Sequence, residues 1–238
     1  MYTITINTPH SKIMDKKVER SIQSALKQFS KISRYDADDF SNSIILIFNS
    51  ERLFLEKVAA LDSLFDQNPK IESLREIFFD LLLINFFAED VKKLEEDYLD
   101  SKEWEAIEEK TLDRGTEILN LLLYLKECED EEITPELSDY LNEFLLVDDD
   151  EFQDEHRIYE DVIANQILVD SSFEEIAKVA SELPETSEVK DLFYPMMSFF
   201  YESEPAIDTL NNFSKHSSHP EFDTSVYALL TTFNEISN

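Results

Sequence analysis

The chain has 238 residues, 42% of them apolar, with 18 Phe and 9 Tyr. That is too much core material for a disordered acidic chain, and long enough for one large helical domain or two small lobes. The net charge of −32 excludes direct nucleic-acid binding by the body, and it disfavours an anionic membrane. A lone cysteine, Cys128, excludes an intrachain disulfide and suits a reducing, cytoplasmic compartment.

In chain order, the first residues show no basic start followed by an apolar run, so no signal peptide is expected. Tyr2, Ile4 and Ile6 alternate, which predicts one short N-terminal strand. Everything after it follows helical spacing. The chain has one glycine, whereas a strand-rich fold would draw on many for its hairpins. Val18, Ile22, Ala25, Leu26, Phe29 and Ile32 line one face of a first helix, with Lys16, Arg20, Lys27, Lys31 and Arg34 opposite. Further helices are read from Phe40 to Phe48, Leu55 to Leu61 and Ile71 to Leu82. The apolar stretch from Ile77 to Phe87 is interrupted by Asp80 and is too short to span a membrane, so it reads as a buried core helix.

A longer helix is expected from about Trp104 to Leu125, with Gly115 on its apolar face where another backbone crosses or the helix bends. Thr134-Pro135-Glu136 opens the helix carrying Leu137, Tyr140 and Leu141. Pro195, inside an apolar run, marks a kink or a fresh helix start. A final helix carries Phe222, Val226, Leu229, Leu230 and Phe233.

The expected fold is therefore all-α: helical hairpins packed as a bundle or as a two-lobed, helical-repeat-like array. Charge divides the chain into residues 1–34, net +5, and two acidic lobes, 35–147 and 148–238, together net −37. The acidic run Asp148-Asp149-Asp150-Glu151, with Asp154 and Glu155, is read as the linker between the lobes. At an offset of 118 residues the apolar register repeats: Ile44 falls on Val162, Val58 on Ile176, Ile71 on Val189 and Leu74 on Leu192. A duplication and two unrelated helical hairpins of similar length both account for that echo.

No chemistry-bearing motif emerges. Asp148-Asp149-Asp150-Glu151 lacks the glycine of a calcium loop, since Gln153 stands at its sixth position. His216 and His219 flank a loop, and no paired Glu-x-x-His motif is present to build a di-iron bundle. Cys128 lies among Glu127, Glu129 and Asp130, which discourages its thiolate. No phosphate-cradling glycine loop exists. The expectation is a protein that is not an enzyme, uses no cofactor or metal, and binds a basic protein partner as an adaptor or immunity-type inhibitor. Candidate partner-binding residues are the acidic run just named and the basic ridge of the first helix. That ridge also suits a weak homodimer, by docking on an acidic face of a second copy. The alternative is a nucleic-acid mimic, whose carboxylates would imitate two phosphate rows in another protein's groove.

Overall fold

The computed structural model describes residues 14–88, 101–144, 146–148, 151–152 and 158–235. The strand expected around Tyr2, Ile4 and Ile6 lies outside them. The fold is all-α, helix packed on helix. In chain order come α1 (Lys16–Ser33), α2 (Asp38–Phe48), α3 (Phe54–Asp66), a 3-10 turn (Pro69–Leu74), α4 (Arg75–Ala88), α5 (Lys102–Thr111), α6 (Ile118–Asp130) and α7 (Leu137–Phe144). They are followed by α8 (Glu160–Ala164), a 3-10 turn (Gln166–Asp170), α9 (Phe173–Glu182), α10 (Lys190–Tyr201), α11 (Ile207–His216) and α12 (Pro220–Asn234). No helix among the described residues is long and apolar enough to cross a membrane.

Local chemistry sets the helix ends. Asp15 caps α1, its carboxylate accepting the N–H groups of Lys17 at 2.8 Å and Val18 at 3.2 Å. Arg34 closes the same helix in the left-handed region at φ 58°, donating its N–H to the Ser30 carbonyl. Ser101 and Ser172 cap α5 and α9 in the same manner as Asp15. Pro220 opens α12 at a position where its missing N–H costs nothing. α10 runs unbroken through Pro195, so the proline neither starts nor ends a helix there. The ring falls in the second turn, where it has no N–H to give to the Asp191 carbonyl four residues back.

α1 and α12 form the closest helix pair. Val18, Ile22, Ala25 and Phe29 are buried, as are Val226, Ala228 and Leu229. Small residues bring the backbones together: Ser24 Oγ donates to the Ala228 carbonyl at 3.3 Å, and Thr232 Oγ1 donates to Ser24 Oγ at 2.9 Å. α12 also packs on α6, α10 and α11, while α1 packs on α2 and α4. The first and last helices therefore tie the two ends of the chain together. Among the early helices, Phe40, Phe65 and Phe78 pack ring to ring. Among the late ones, Phe213 stacks between Tyr194 and Tyr227, with both centroid separations 4.4 Å. Every residue from Ile77 to Phe87 is buried, as a core helix requires. Of the positions related by the offset of 118, four pairs are buried on both sides, Ile44 and Val162, Val58 and Ile176, Ile71 and Val189, and Leu74 and Leu192, whereas Ala59 is exposed and its counterpart Ala177 half-buried.

Two expectations need correction. The helix expected from Trp104 to Leu125 is two helices, α5 and α6, separated by a polar turn at Arg114-Gly115-Thr116. Gly115 has φ +90°, which no helix accommodates and which side chains other than glycine rarely adopt. The second concerns strand, which the sequence places at the N-terminus alone. β1 (Leu146–Asp148) pairs antiparallel with β2 (Glu151–Phe152), Leu146 opposite Phe152 and Asp148 opposite Glu151. Strand is thus not confined to the first eight residues.

Candidate functional site

The turn between α5 and α6 exchanges helical hydrogen bonds for bonds to carboxylates. Arg114 donates from Nε to Glu76 at 2.9 and 3.1 Å, and from its two terminal nitrogens to Asp62 at 3.0 and 3.1 Å. Its guanidinium also lies over the Phe79 ring, 4.8 Å from the centroid. Arg75 reaches the same Asp62 at 3.3 Å and adds Asp66 and Glu72. Gly115 donates its N–H to Glu76 Oε2 at 2.9 Å. Thr116 donates its N–H to both Asp80 oxygens at 3.1 Å and its hydroxyl to Oδ2 at 2.6 Å.

Asp80 is fully buried on α4. Burial pushes its carboxyl well above the ordinary aspartate value; the Thr116 bonds oppose this, and the nearby charges of Glu76 and Glu117 add to it. The group is a buried carboxyl beneath the turn whose affinity for the proton is raised.

Above the turn lies a cleft of about 560 Å³. Ile77, Ile158, Leu192 and Phe222 supply its apolar surface, and Glu76, Glu117, Glu188 and Asp191 its carboxylates. No lysine or arginine among the described residues lines it. Glu117 is held in place: Asn120 donates to its Oε2 at 3.1 Å, and the Tyr159 hydroxyl donates to the same oxygen. Asn120 and Tyr140 each donate to the Tyr159 oxygen at 3.1 Å. Burial raises Tyr159 and Tyr140 above the ordinary tyrosine value, so both remain protonated donors at neutral pH. Glu188 and Asp191, just before and early in α10, are exposed.

No protein-family model matches the chain, and no curated protein or solved structure matches it either. The geometry of the site alone bears on its function.

Of the residues proposed from sequence, none with a described side chain lines this cleft. Lys16, Lys27, Lys31 and Arg34 are exposed along α1, and Lys31 donates to Asn211 Oδ1 at 2.9 Å. Arg20 is partly exposed, 3.9 Å from Glu235. Lys17, which helical spacing alone does not place in the ridge, is buried and paired with Glu129 at 2.8 Å. Asp148 and Glu151 face each other across the small hairpin, whereas Asp149, Asp150, Asp154 and Glu155 lie outside the described residues. His216 ends α11 and His219 stands before α12, and among the described residues no three His, Cys, Asp or Glu converge to hold a metal.

Sequence reasoning missed Glu76, Glu117, Glu188 and Asp191 because acids are everywhere in this chain. Two residues of the turn beneath them stand out in the sequence, Asp80 as a lone charge in an apolar run and Gly115 as the only glycine, although helical spacing placed Gly115 inside a helix.

Proposed function

We propose that the protein is a non-enzymatic binding module that takes a basic segment of a protein partner into the acidic cleft. One observation carries this reading: a 560 Å³ cleft with an apolar surface and four carboxylates, lined by no lysine or arginine among the described residues. A lysine or arginine side chain fits both parts, its methylene stem on Ile77, Leu192 and Phe222 and its head toward Glu188 and Asp191. The state of the other acids supports binding over catalysis. Glu76 is engaged by Arg114 and Gly115, Glu117 by Tyr159 and Asn120, and Asp80 is sealed under Thr116. Groups tied down in this way are poor proton shuttles and good fixed charges.

The test is fluorescence anisotropy with labelled, capped nonapeptides carrying one arginine, one glutamate or neither. The arginine peptide is expected to bind at low salt and to weaken as salt rises. The double variant Glu188→Gln with Asp191→Asn is expected to lose most of that affinity. Equal binding of all three peptides, or no effect of the double variant, overturns the reading. Competition by a DNA-binding protein but not by arginine peptides moves the nucleic-acid mimic to the front.

A further inference from the structure

The cleft does not stop at its Asp191 wall. A smaller cavity of about 280 Å³ opens beyond it, and Asp191 and His219 line both. The smaller cavity is otherwise walled by Ala177, Ala180, Tyr194 and Asp223, with the Lys190–Glu185 ion pair at its edge. Asp223 is buried at 4% exposure and accepts the Ser217 hydroxyl at 2.5 Å. Among the described residues no lysine or arginine pairs with it, and the lysine in the cavity, Lys190, is bonded to Glu185. Burial pushes the Asp223 carboxyl up to about 6, against the Ser217 bond and the nearby His219. His219 is thus the basic group beside this buried carboxyl, and an entering lysine or arginine head would offset the desolvation of its charged form.

We propose that the two cavities form one groove that takes two basic side chains of the same partner segment, one in the large cleft and one facing Asp223. The proposal rests on the reading of the cleft as a basic-segment site, and it specifies the partner as dibasic. The shared wall makes the two subsites adjacent, so a segment held in the cleft presents its next basic residue to the smaller cavity at high effective concentration. Ala177 and Ala180 leave room for a side-chain stem, and the Tyr194 ring offers it an apolar side. The groups facing the incoming head are Asp223 and Asp191, with His219, Lys190 and Glu185 around them.

The experiment uses the full chain and labelled, capped peptides with two arginines separated by zero to three alanines, each paired with its two single-arginine controls. One spacing is expected to bind about tenfold tighter than either control, the gain of one charge-assisted hydrogen-bonded contact. Asp223→Asn is expected to abolish that advantage and leave single-arginine affinity unchanged. Ala180→Leu, which fills the cavity without touching a charge, is expected to do the same, and thermal melts show that both variants are folded. Single-arginine binding with no more than about a twofold statistical gain for every dibasic peptide overturns the two-subsite proposal and leaves the cleft reading intact. A dibasic advantage that survives both variants also overturns it, because the second arginine then sits elsewhere. If no arginine peptide binds at all, both readings fall.

Discussion

Gly115 and Asp80 leave no room between them: a Cβ on Gly115 would lie 2.6 Å from Asp80 Oδ1. The glycine is needed twice, once for its φ of +90° and once for that close approach. Gly115→Ala is therefore expected to destabilise the fold by roughly 3 kcal/mol, from backbone strain plus weakened Thr116–Asp80 bonds. In a chain of this size that lowers the melting temperature by roughly 6–12 °C. A melt within about 2 °C of the parent would show that the turn relaxes without loss.

Asp80 gives a pH signature with a definite sign. Its folded-state affinity for the proton is raised by burial, so the native state holds the proton more tightly than the unfolded chain does. Stability from this group is fully present at acid pH and is lost as pH climbs from the ordinary aspartate value through the raised one. Asp80→Asn keeps a carbonyl acceptor for Thr116 and removes the titration. Urea unfolding at pH 5 and pH 8 is expected to show the variant gaining on the parent as pH rises. An unchanged difference between the two pH values would mean that Asp80 is no proton store.

Asp223 works in the same direction over a narrower window. Its rise from the ordinary aspartate value to about 6 makes the folded chain lose stability between about pH 4 and pH 6. The loss is roughly 2–3 kcal/mol, because each tenfold gain in proton affinity on folding is worth about 1.4 kcal/mol. Relief of repulsion within a chain of net charge −32 also favours acid pH, so the measurement is the difference between the parent and Asp223→Asn. Parallel pH profiles for the two proteins would contradict the assignment.

The all-α fold, the buried helix from Ile77 to Phe87 and the apolar faces of α1 and α12 were legible because burial repeats at helical spacing. The break between α5 and α6 was not. Ile107, Ile118, Leu121 and Leu122 keep a nearly helical register across the turn, and only the backbone angle at Gly115 reveals it. The hairpin at Leu146–Phe152 was hidden because its strands are two and three residues long, too short for an alternating pattern. The cleft was illegible for another reason. Glu76 and Glu188 are more than a hundred positions apart and meet only through tertiary packing, and their residue type is the commonest charge in the chain.

Arg114 is expected to be the least replaceable basic residue near the turn. It satisfies Asp62 and Glu76 together with a planar fork, which a lysine cannot match. Arg114→Lys keeps the charge and is expected to cost about 1–2 kcal/mol, whereas Arg114→Ala is expected to cost about 2–3 kcal/mol, with partial exposure of the pair holding the figure down. Arg75 still neutralises Asp62 in both variants, which leaves Glu76 as the group that loses most. Equal stability of the lysine variant and the parent would show that charge alone matters there.

The basic ridge on α1 supports one last prediction, on self-association. The apolar stripe of that helix is buried, and Lys16, Lys27, Lys31 and Arg34 face outward from it. A second copy presents net charge −37 outside its own first 34 residues, so approach of the ridge to it is attractive at long range. Each exposed ion pair contributes at most about 1 kcal/mol and is screened by salt. Lys31 must also give up Asn211 to make one. The expected outcome in sedimentation is a monomer at physiological salt, with a weak dimer emerging at low salt and high protein concentration. Lys27→Glu with Lys31→Glu is expected to remain a monomer throughout. A dimer that survives high salt or the charge reversal would place the contact on an apolar surface instead, and a monomer under every condition would leave the ridge to another partner.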